Sequence, residues 1–449
     1  MIEKRFDILV SSKISPFNRT IYVDSDKSLS IRSFLIGSIS NNISTLNNVL
    51  MSEDVKSTIS ACKKLGVKIV KIKSGKYKIF GNGIGSLFIK KNSSLNFGNS
   101  GTLARLLIGI LSSTPNIQVM IKGDHSLNKR NMKELFKLAS SYGAVFSPRK
   151  KNSFPIKFTS SKFPIGIDYK AGESAQLKSA AILAGLNSFG KTTIYEKIIS
   201  RDHTENLLIN NTKAIRILKK NKRKVITVFG KEELKPLNIN ISGDPSSAAF
   251  YATLAILNKR SSIKIKNVGL NPTRTGFYKI LKKNGAKIKF INLKKRNNEI
   301  KGDIIVKSCK LGPINTSAKM YPSTTDEYLL LFLIASFQEG VSTFKGISGL
   351  ANKESSRALE MKKILSQIGI KSKLYKEKMK IFGKDKINTK NKKISVGNLG
   401  DHRIAMCAFI LAILTNTKAY IKNFDTVFTS SPSFLKIMKN LGAKFEIKK

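Results

Sequence analysis

Gly400-Asp401-His402-Arg403-Ile404-Ala405-Met406-Cys407-Ala408-Phe409-Ile410-Leu411-Ala412-Ile413-Leu414 opens on an acidic residue and then runs apolar on every side. A helix at a protein surface needs one apolar stripe; a helix that is apolar all round has to be buried all round. Burial leaves its first backbone N–H groups in need of partners, and a small or acidic residue at the start supplies some of them. Five earlier segments read the same way, beginning near Ser28, Gly101, Ser174, Ser246 and Thr325, so that with Asp401 the starts stand 72 to 79 residues apart.

A second class of segment alternates with the first. It is an amphipathic helix that stops at Gly66, Gly143, Asn221, Gly285, Gly369 or Gly442, residue types that tolerate a left-handed backbone. Short strands follow, as in Val67-Lys68-Ile69, Ala286-Lys287-Ile288 and Ala443-Lys444-Phe445. Six alternating pairs predict six units, each with two helices and β segments between them. The period is too long for a solenoid repeat, so each unit reads as a small β/α subdomain. A chain of 449 residues also exceeds what one compact core usually holds, which makes two domains the expectation. Every buried helix start carries roughly half a positive charge. Several starts converging on one cleft would bind anions strongly.

Composition narrows the function classes. Apolar residues make up 41% of the chain, enough for sizeable cores and against wholesale disorder. Cys62, Cys309 and Cys407 are widely spaced and form no CxxC, so neither a disulfide framework nor a zinc site is legible, and a reducing cytoplasm fits. The longest apolar runs fall short of the roughly 20 residues that span a bilayer, and the N-terminus shows no export signal. The formal charge of +53 invites a nucleic-acid reading, but the excess is 67 Lys spread along the whole chain, with Asn and Ile abundant too. These three residues share A/T-rich codons, so a solvated lysine-rich surface is the better account. The 14 Arg are more telling, because seven of them (Arg32, Arg105, Arg130, Arg201, Arg274, Arg357 and Arg403) fall in the motif segments. A planar guanidinium fork suits carboxylate and phosphate ligands.

Those segments are Asp26-Lys27-Ser28-Leu29-Ser30-Ile31-Arg32, Gly98-Asn99-Ser100-Gly101-Thr102-Leu103-Ala104-Arg105, Gly123-Asp124-His125-Ser126-Leu127-Asn128-Lys129-Arg130, Ser174-Ala175-Gln176 and Ser200-Arg201-Asp202-His203-Thr204-Glu205. Later come Gly243-Asp244-Pro245-Ser246, Asn271-Pro272-Thr273-Arg274, Thr325-Asp326-Glu327-Tyr328, Lys353-Glu354-Ser355-Ser356-Arg357 and Gly400-Asp401-His402-Arg403. In this order they closely resemble the 5-enolpyruvylshikimate-3-phosphate synthase family, from about Val23 to the C-terminus. The resemblance implies an α/β fold of two similar domains, each of three βαβαββ units around buried parallel helices, the inside-out α/β barrel of enolpyruvyl transferases. It implies one domain over 24–242, mainly on the shikimate 3-phosphate side. The other would combine 1–23 with 243–449, the chain crossing at two hinges and the active site lying in the cleft between.

By the same resemblance the activity is that of a 3-phosphoshikimate 1-carboxyvinyltransferase of the shikimate pathway to chorismate and aromatic amino acids. It joins phosphoenolpyruvate to the 5-hydroxyl of shikimate 3-phosphate through a tetrahedral intermediate and releases phosphate, with no cofactor and no metal. Lys27, Gly101, Arg130, Gln176, Arg357 and Arg403 would hold phosphoenolpyruvate. Lys27, Ser28, Arg32, Ser174, Ala175, Gln176, Arg201, Asp326 and Lys353 would hold shikimate 3-phosphate. Asp326 would take the hydroxyl proton, Glu354 would protonate the methylene and later take that proton back, and Lys27 and His402 would assist. The family further implies a cytoplasmic monomer with small anionic substrates, no nucleic-acid or membrane partner, and inhibition by glyphosate, for which Gly101 leaves room.

Plainer roles weigh against some of these residues. Asp244, Ser246 and Asp401 suit helix caps. His125 and His203 have no second ligand at metal spacing, and Cys407 belongs to an apolar run. The sister enzyme, UDP-N-acetylglucosamine enolpyruvyl transferase, typically carries a cysteine on a loop over its site, and the segment from Leu111 to Arg130 has none.

Overall fold

The computed structural model describes residues 5–220 and 223–448. The chain forms two compact units, one of Ser25–Ser242 with Arg296–Glu299 and the other of Met1–Asp24, Gly243–Lys295 and Ile300–Lys449. Each has its own apolar core, running from Leu29 to Ile241 in the first and drawing in Ile8, Val10 and the residues from Ala248 to Ala443 in the second.

One sheet pattern occurs six times, three in each unit. Four strands lie side by side, the first parallel to the second, the third antiparallel to the second, and the fourth closing the edge. The outer strand of the first sheet is Asn238–Asn240, which returns to run parallel to Ile43–Asn47. In the other unit Asn18–Tyr22 runs parallel to Ser262–Gly269, and Asp7–Val10 sits between Lys418–Ile421 and Phe445–Lys448. The N-terminal strands therefore complete sheets whose other strands lie hundreds of residues later.

The six predicted apolar helices are Lys27–Ser38, Gly101–Ser112, Ala175–Gly185, Pro245–Leu257, Tyr328–Ser336 and His402–Thr415. All nine residues of Tyr328–Ser336 are buried, as is every residue from Ile404 to Leu414. Burying each Leu or Phe contributes about 1.5–3 kcal/mol, so this set supplies much of the core's stability. Two of the helices approach closely enough to need a residue with no side chain. A Cβ placed on Gly109 would lie 2.6 Å from the carbonyl oxygen and 2.7 Å from the Cα of Ala180.

The amphipathic helices stop as expected at Gly66, Gly143, Gly285, Gly369 and Gly442, all with φ between 78° and 97°. The sixth predicted stop, Asn221, lies outside the described residues, and the helix of that unit, His203–Leu208, ends well before it. Asparagine does serve elsewhere: among the described residues 13 non-glycine positions adopt positive φ, and 11 of them are Asn. Its short amide makes it the next most tolerant type there, so a composition rich in Asn carries many tight turns.

Candidate active site

The buried helices start slightly later or earlier than their motifs suggest, because a cap is defined by its bond and not by its residue type. Asp26 accepts from Leu29 N at 2.9 Å, Ser100 from Leu103 N at 3.2 Å and Ser174 from Leu177 N at 3.3 Å. Asp244 accepts from Ser246 N at 2.7 Å and Asp401 from Arg403 N at 3.0 Å. Ser28, Gly101 and Ser246 therefore lie inside first turns, and Ser246 is capped, not capping. Thr325, Asp326 and Glu327 form a junction between the short helix Tyr321–Thr324 and Tyr328–Ser336.

In the Ser25–Ser242 unit the expected ligand residues gather at three of these starts. Lys27 is the first residue of its helix, and its ammonium lies 3.1 Å from Asp54 Oδ2. Ser28 follows, and its carbonyl accepts from Arg32 Nη1 at 3.1 Å. Arg32 is buried and donates further to Thr204 Oγ1 at 2.9 Å and Ser179 Oγ at 3.3 Å. Gln176, one residue past Ala175, ties the Ala175 helix to the Gly101 helix: its Oε1 accepts from Arg105 Nη1 at 3.0 Å, and its Nε2 donates to Thr102 Oγ1 at 2.9 Å. Arg130 donates to Asn99 Oδ1 and to Ser126 Oγ, the latter at 3.4 Å. A methyl group added at Gly101 would meet Arg105 Nη1 at 2.8 Å and Arg130 Nη1 at 3.0 Å. Two guanidinium groups thus converge on a helix N-terminus, an arrangement that favours an anion. Arg201 is half-buried directly after Ser200.

The other unit centres on Arg357, which opens the helix Arg357–Gln367 and is 1% exposed. Its Nε donates to Asp401 Oδ2 at 2.9 Å and its Nη2 to Glu354 Oε2 at 2.5 Å. Its Nη1 lies 3.6 Å from Asp326 Oδ1. Burial by itself would pull the guanidinium's pKa down, but the charge of Asp401 and then of Glu354 outweighs that and raises it above the ordinary range. Arg403 also reaches Asp326, through Nη1 to its backbone oxygen at 3.0 Å and through Nε to Oδ1 at 3.7 Å. Arg357 thus meets three carboxylates, two of which, Asp326 and Glu354, are the expected acid–base residues. Ser355 Oγ adds a bond to Asp401 Oδ2 at 2.9 Å. His402 is buried beside this group, its Nδ1 3.4 Å from Thr429 Oγ1. Lys353 is half-buried next to Glu354.

Several participants have no place among the expected site residues. Arg105 shares the Gly101 helix start, and its position four residues after Gly101 puts it on the same helix face, a signal the sequence does carry. Asp54 and Asp401 pair with expected ligands but lie 27 and 44 residues from them in the chain, so no local pattern reveals the pairing. Arg274, one of the seven motif arginines, instead binds Asp244 Oδ1 at 3.0 Å and Ser246 Oγ at 2.9 Å, fixing a helix start. His203 bonds Glu299 through Nδ1 at 2.8 Å, and Cys407 is buried with its thiol pushed up by burial.

The chain matches the family described as EPSP synthase (3-phosphoshikimate 1-carboxyvinyltransferase) over residues 11–438. It is 36% identical over 442 residues to the 3-phosphoshikimate 1-carboxyvinyltransferase of Zymomonas mobilis subsp. mobilis, covering 98% of this chain and 97% of that one. Its identity to the enzyme of the same name from Sulfurihydrogenibium sp. is 37% over 433 residues, with 96% and 98% covered. Among solved structures, EPSP synthase from Acinetobacter baumannii is similar with a TM-score of 0.84 at 32% identity, covering 99% of this chain and all of that one. The enolpyruvyl transferase NikO from Streptomyces tendae shares the fold at 12% identity and a TM-score of 0.72, with 99% of both chains covered. The motif order, the six repeated sheets and these full-length similarities lead to one conclusion: the chain belongs to the EPSP synthase (3-phosphoshikimate 1-carboxyvinyltransferase) family.

Proposed function

We propose that this protein is an enzyme that transfers the carboxyvinyl group of phosphoenolpyruvate to the 5-hydroxyl of shikimate 3-phosphate, releasing inorganic phosphate, in the biosynthesis of aromatic amino acids. The observation that carries this reading is the constellation in which Asp326 and Glu354 sit on the single buried guanidinium of Arg357, 3.6 and 2.5 Å away, in a chain of this family. Both substrates carry a phosphate and a carboxylate, so holding them requires several fixed cations and N–H donors. Lys27, Arg130 and Arg403 take the phosphate and carboxylate of phosphoenolpyruvate, with Gly101, Gln176 and Arg357. Ser28, Arg32, Ser174, Ala175 and Arg201 hold shikimate 3-phosphate mainly on the Ser25–Ser242 unit, with Asp326 and Lys353.

In the chemistry proposed, Asp326 accepts the proton of the 5-hydroxyl as that oxygen attacks C2 of phosphoenolpyruvate. Glu354 delivers a proton to C3, turning the methylene into a methyl group and giving the tetrahedral adduct. Phosphate then departs with the C2–O bond, and Glu354 removes a methyl proton to restore the double bond. Arg357 tethers both carboxylates and so holds them in register for these transfers. His402 assists from the neighbouring helix start. Among the described residues no helix is long and apolar enough to cross a membrane. We infer a monomer acting in the cytoplasm, which three free thiols suit.

The test is incubation with both substrates, following phosphate release and the proton spectrum of the product. One phosphate and one enolpyruvyl ether per shikimate 3-phosphate consumed are expected. Phosphate release with UDP-N-acetylglucosamine but not with shikimate 3-phosphate would overturn the assignment.

A further inference from the structure

Among the described residues of a chain with 67 Lys, only Lys178 and Lys224 are buried. They meet two buried glutamates. Lys178 Nζ lies 2.7 Å from Glu196 Oε1 and 2.9 Å from Glu205 Oε1, and Lys224 Nζ lies 2.9 Å from the same Glu205 oxygen. All four side chains are at most 3% exposed. Burial opposes charge on Lys178 and on Glu205, yet their partners prevail, raising the pKa of the lysine and lowering that of the glutamate. A buried ion cluster is often less stabilising than an apolar set of the same volume, so stability alone does not account for it, and neither does a drifting surface.

Its bonds lead to two expected ligands. Glu196 Oε1 also accepts from the backbone N and the Oγ of Ser200, at 2.8 and 2.7 Å, and Ser200 directly precedes Arg201. Glu205 directly follows Thr204, whose Oγ1 donates to Ser179 Oγ at 2.7 Å and accepts from Arg32 Nε at 2.9 Å. Ser179 in turn directly follows Lys178.

We propose that the Lys178–Glu196–Glu205–Lys224 cluster is a positioning element that clamps residues 200–205 at both ends and thereby sets where Arg201 and Arg32 meet shikimate 3-phosphate. This rests on the function proposed above. The four residues touch no substrate; they act through the two guanidinium groups.

The experiment compares Lys178→Met/Glu196→Gln with Lys178→Met/Glu196→Leu in the full chain. Both remove the two ion pairs of Lys178, keep Lys224–Glu205 and leave the same net charge, but only the first keeps an acceptor for Ser200. Calorimetric titration with shikimate 3-phosphate is expected to show about tenfold weaker binding for the Leu variant, the size of two buried hydrogen bonds at about threefold each. Its KM for shikimate 3-phosphate rises in step, while kcat and the KM for phosphoenolpyruvate stay within about twofold. Equal affinity in the two folded variants overturns the proposal. Ser200→Ala, which deletes one bond and leaves every ion pair in place, guards against a misfolded double variant. It should weaken binding about threefold, and unchanged affinity again overturns the idea. Amide exchange needs no substrate: the Ser200 N–H should be protected in the wild type and in the Gln variant and exposed in the Leu variant. Protection that is the same in all three refutes the clamp. A wild type that fails to bind shikimate 3-phosphate at all refutes the functional reading instead.

Discussion

Asp401 joins a helix cap to a buried ion pair, and the two contributions can be separated by substitution. Its Oδ1 caps the His402 helix at Arg403 N, while its Oδ2 takes Arg357 Nε and Ser355 Oγ, each at 2.9 Å. Asp401→Ala loses both. Breaking a buried pair costs about 3–5 kcal/mol, and Glu354 and Asp326 remain to hold Arg357, so the lower end, about 3 kcal/mol, applies. Loss of the cap adds about 1 kcal/mol. Asp401→Asn keeps one oxygen for the cap but turns an NH2 group toward the Arg357 donor, so it should cost about 3 kcal/mol. For a unit of this size each kcal/mol lowers the Tm by about 2–4 °C. Thermal unfolding followed by circular dichroism should then show drops of about 8–16 °C for the Ala variant and about 6–12 °C for the Asn variant. Activity should fall in both, because Arg357 loses the anchor that aims Glu354. An Asn variant as stable as the wild type, or an Ala variant milder than the Asn one, would refute the reasoning.

Removing an acid–base carboxylate should leave folding intact and strip the rate: Asp326→Asn and Glu354→Gln are each expected to lower kcat by about 10²–10⁴-fold in steady-state assays. Gly109→Ala must push apart the Gly101 and Ala175 helices, since its methyl would lie 2.6 Å from a backbone oxygen; a loss of about 1–3 kcal/mol should appear in urea unfolding. Gly101→Ala meets only the movable ends of Arg105 and Arg130, so its Tm should hold while the KM for phosphoenolpyruvate rises and glyphosate, expected to compete with phosphoenolpyruvate, weakens. Asp24 has its pKa raised by burial, against the opposing bond from Ser433 N. The neutral form is thus favoured in the fold: its contribution is complete below the unfolded value near 3.8 and is lost as pH rises through the raised one. Asp24→Asn should therefore flatten the fall in Tm with pH above about 4.

The six apolar helices and their spacing were readable because full burial removes any polar face, a property written along a single stretch such as Tyr328–Ser336. Five of the left-handed stops were readable for an equally local reason, a glycine at the end of an amphipathic run. The sixth expected stop, Asn221, lies outside the described residues. Cap positions slipped by one or two residues, since Asp26 and Asp244 compete with Ser28 and Ser246 on residue type and only the bond chooses. Distant pairings were out of reach altogether: Lys27 with Asp54, Arg105 with Gln176, Arg357 with Asp326 and Asp401, Lys178 with Glu196 and Glu205. What the chain alone settles here is the repeat, the α/β class and the family, because each is carried by local periodicity or by contiguous motifs. Which charges meet is settled by folding, because burial strengthens a contact between residues far apart in the chain and no local pattern encodes that distance.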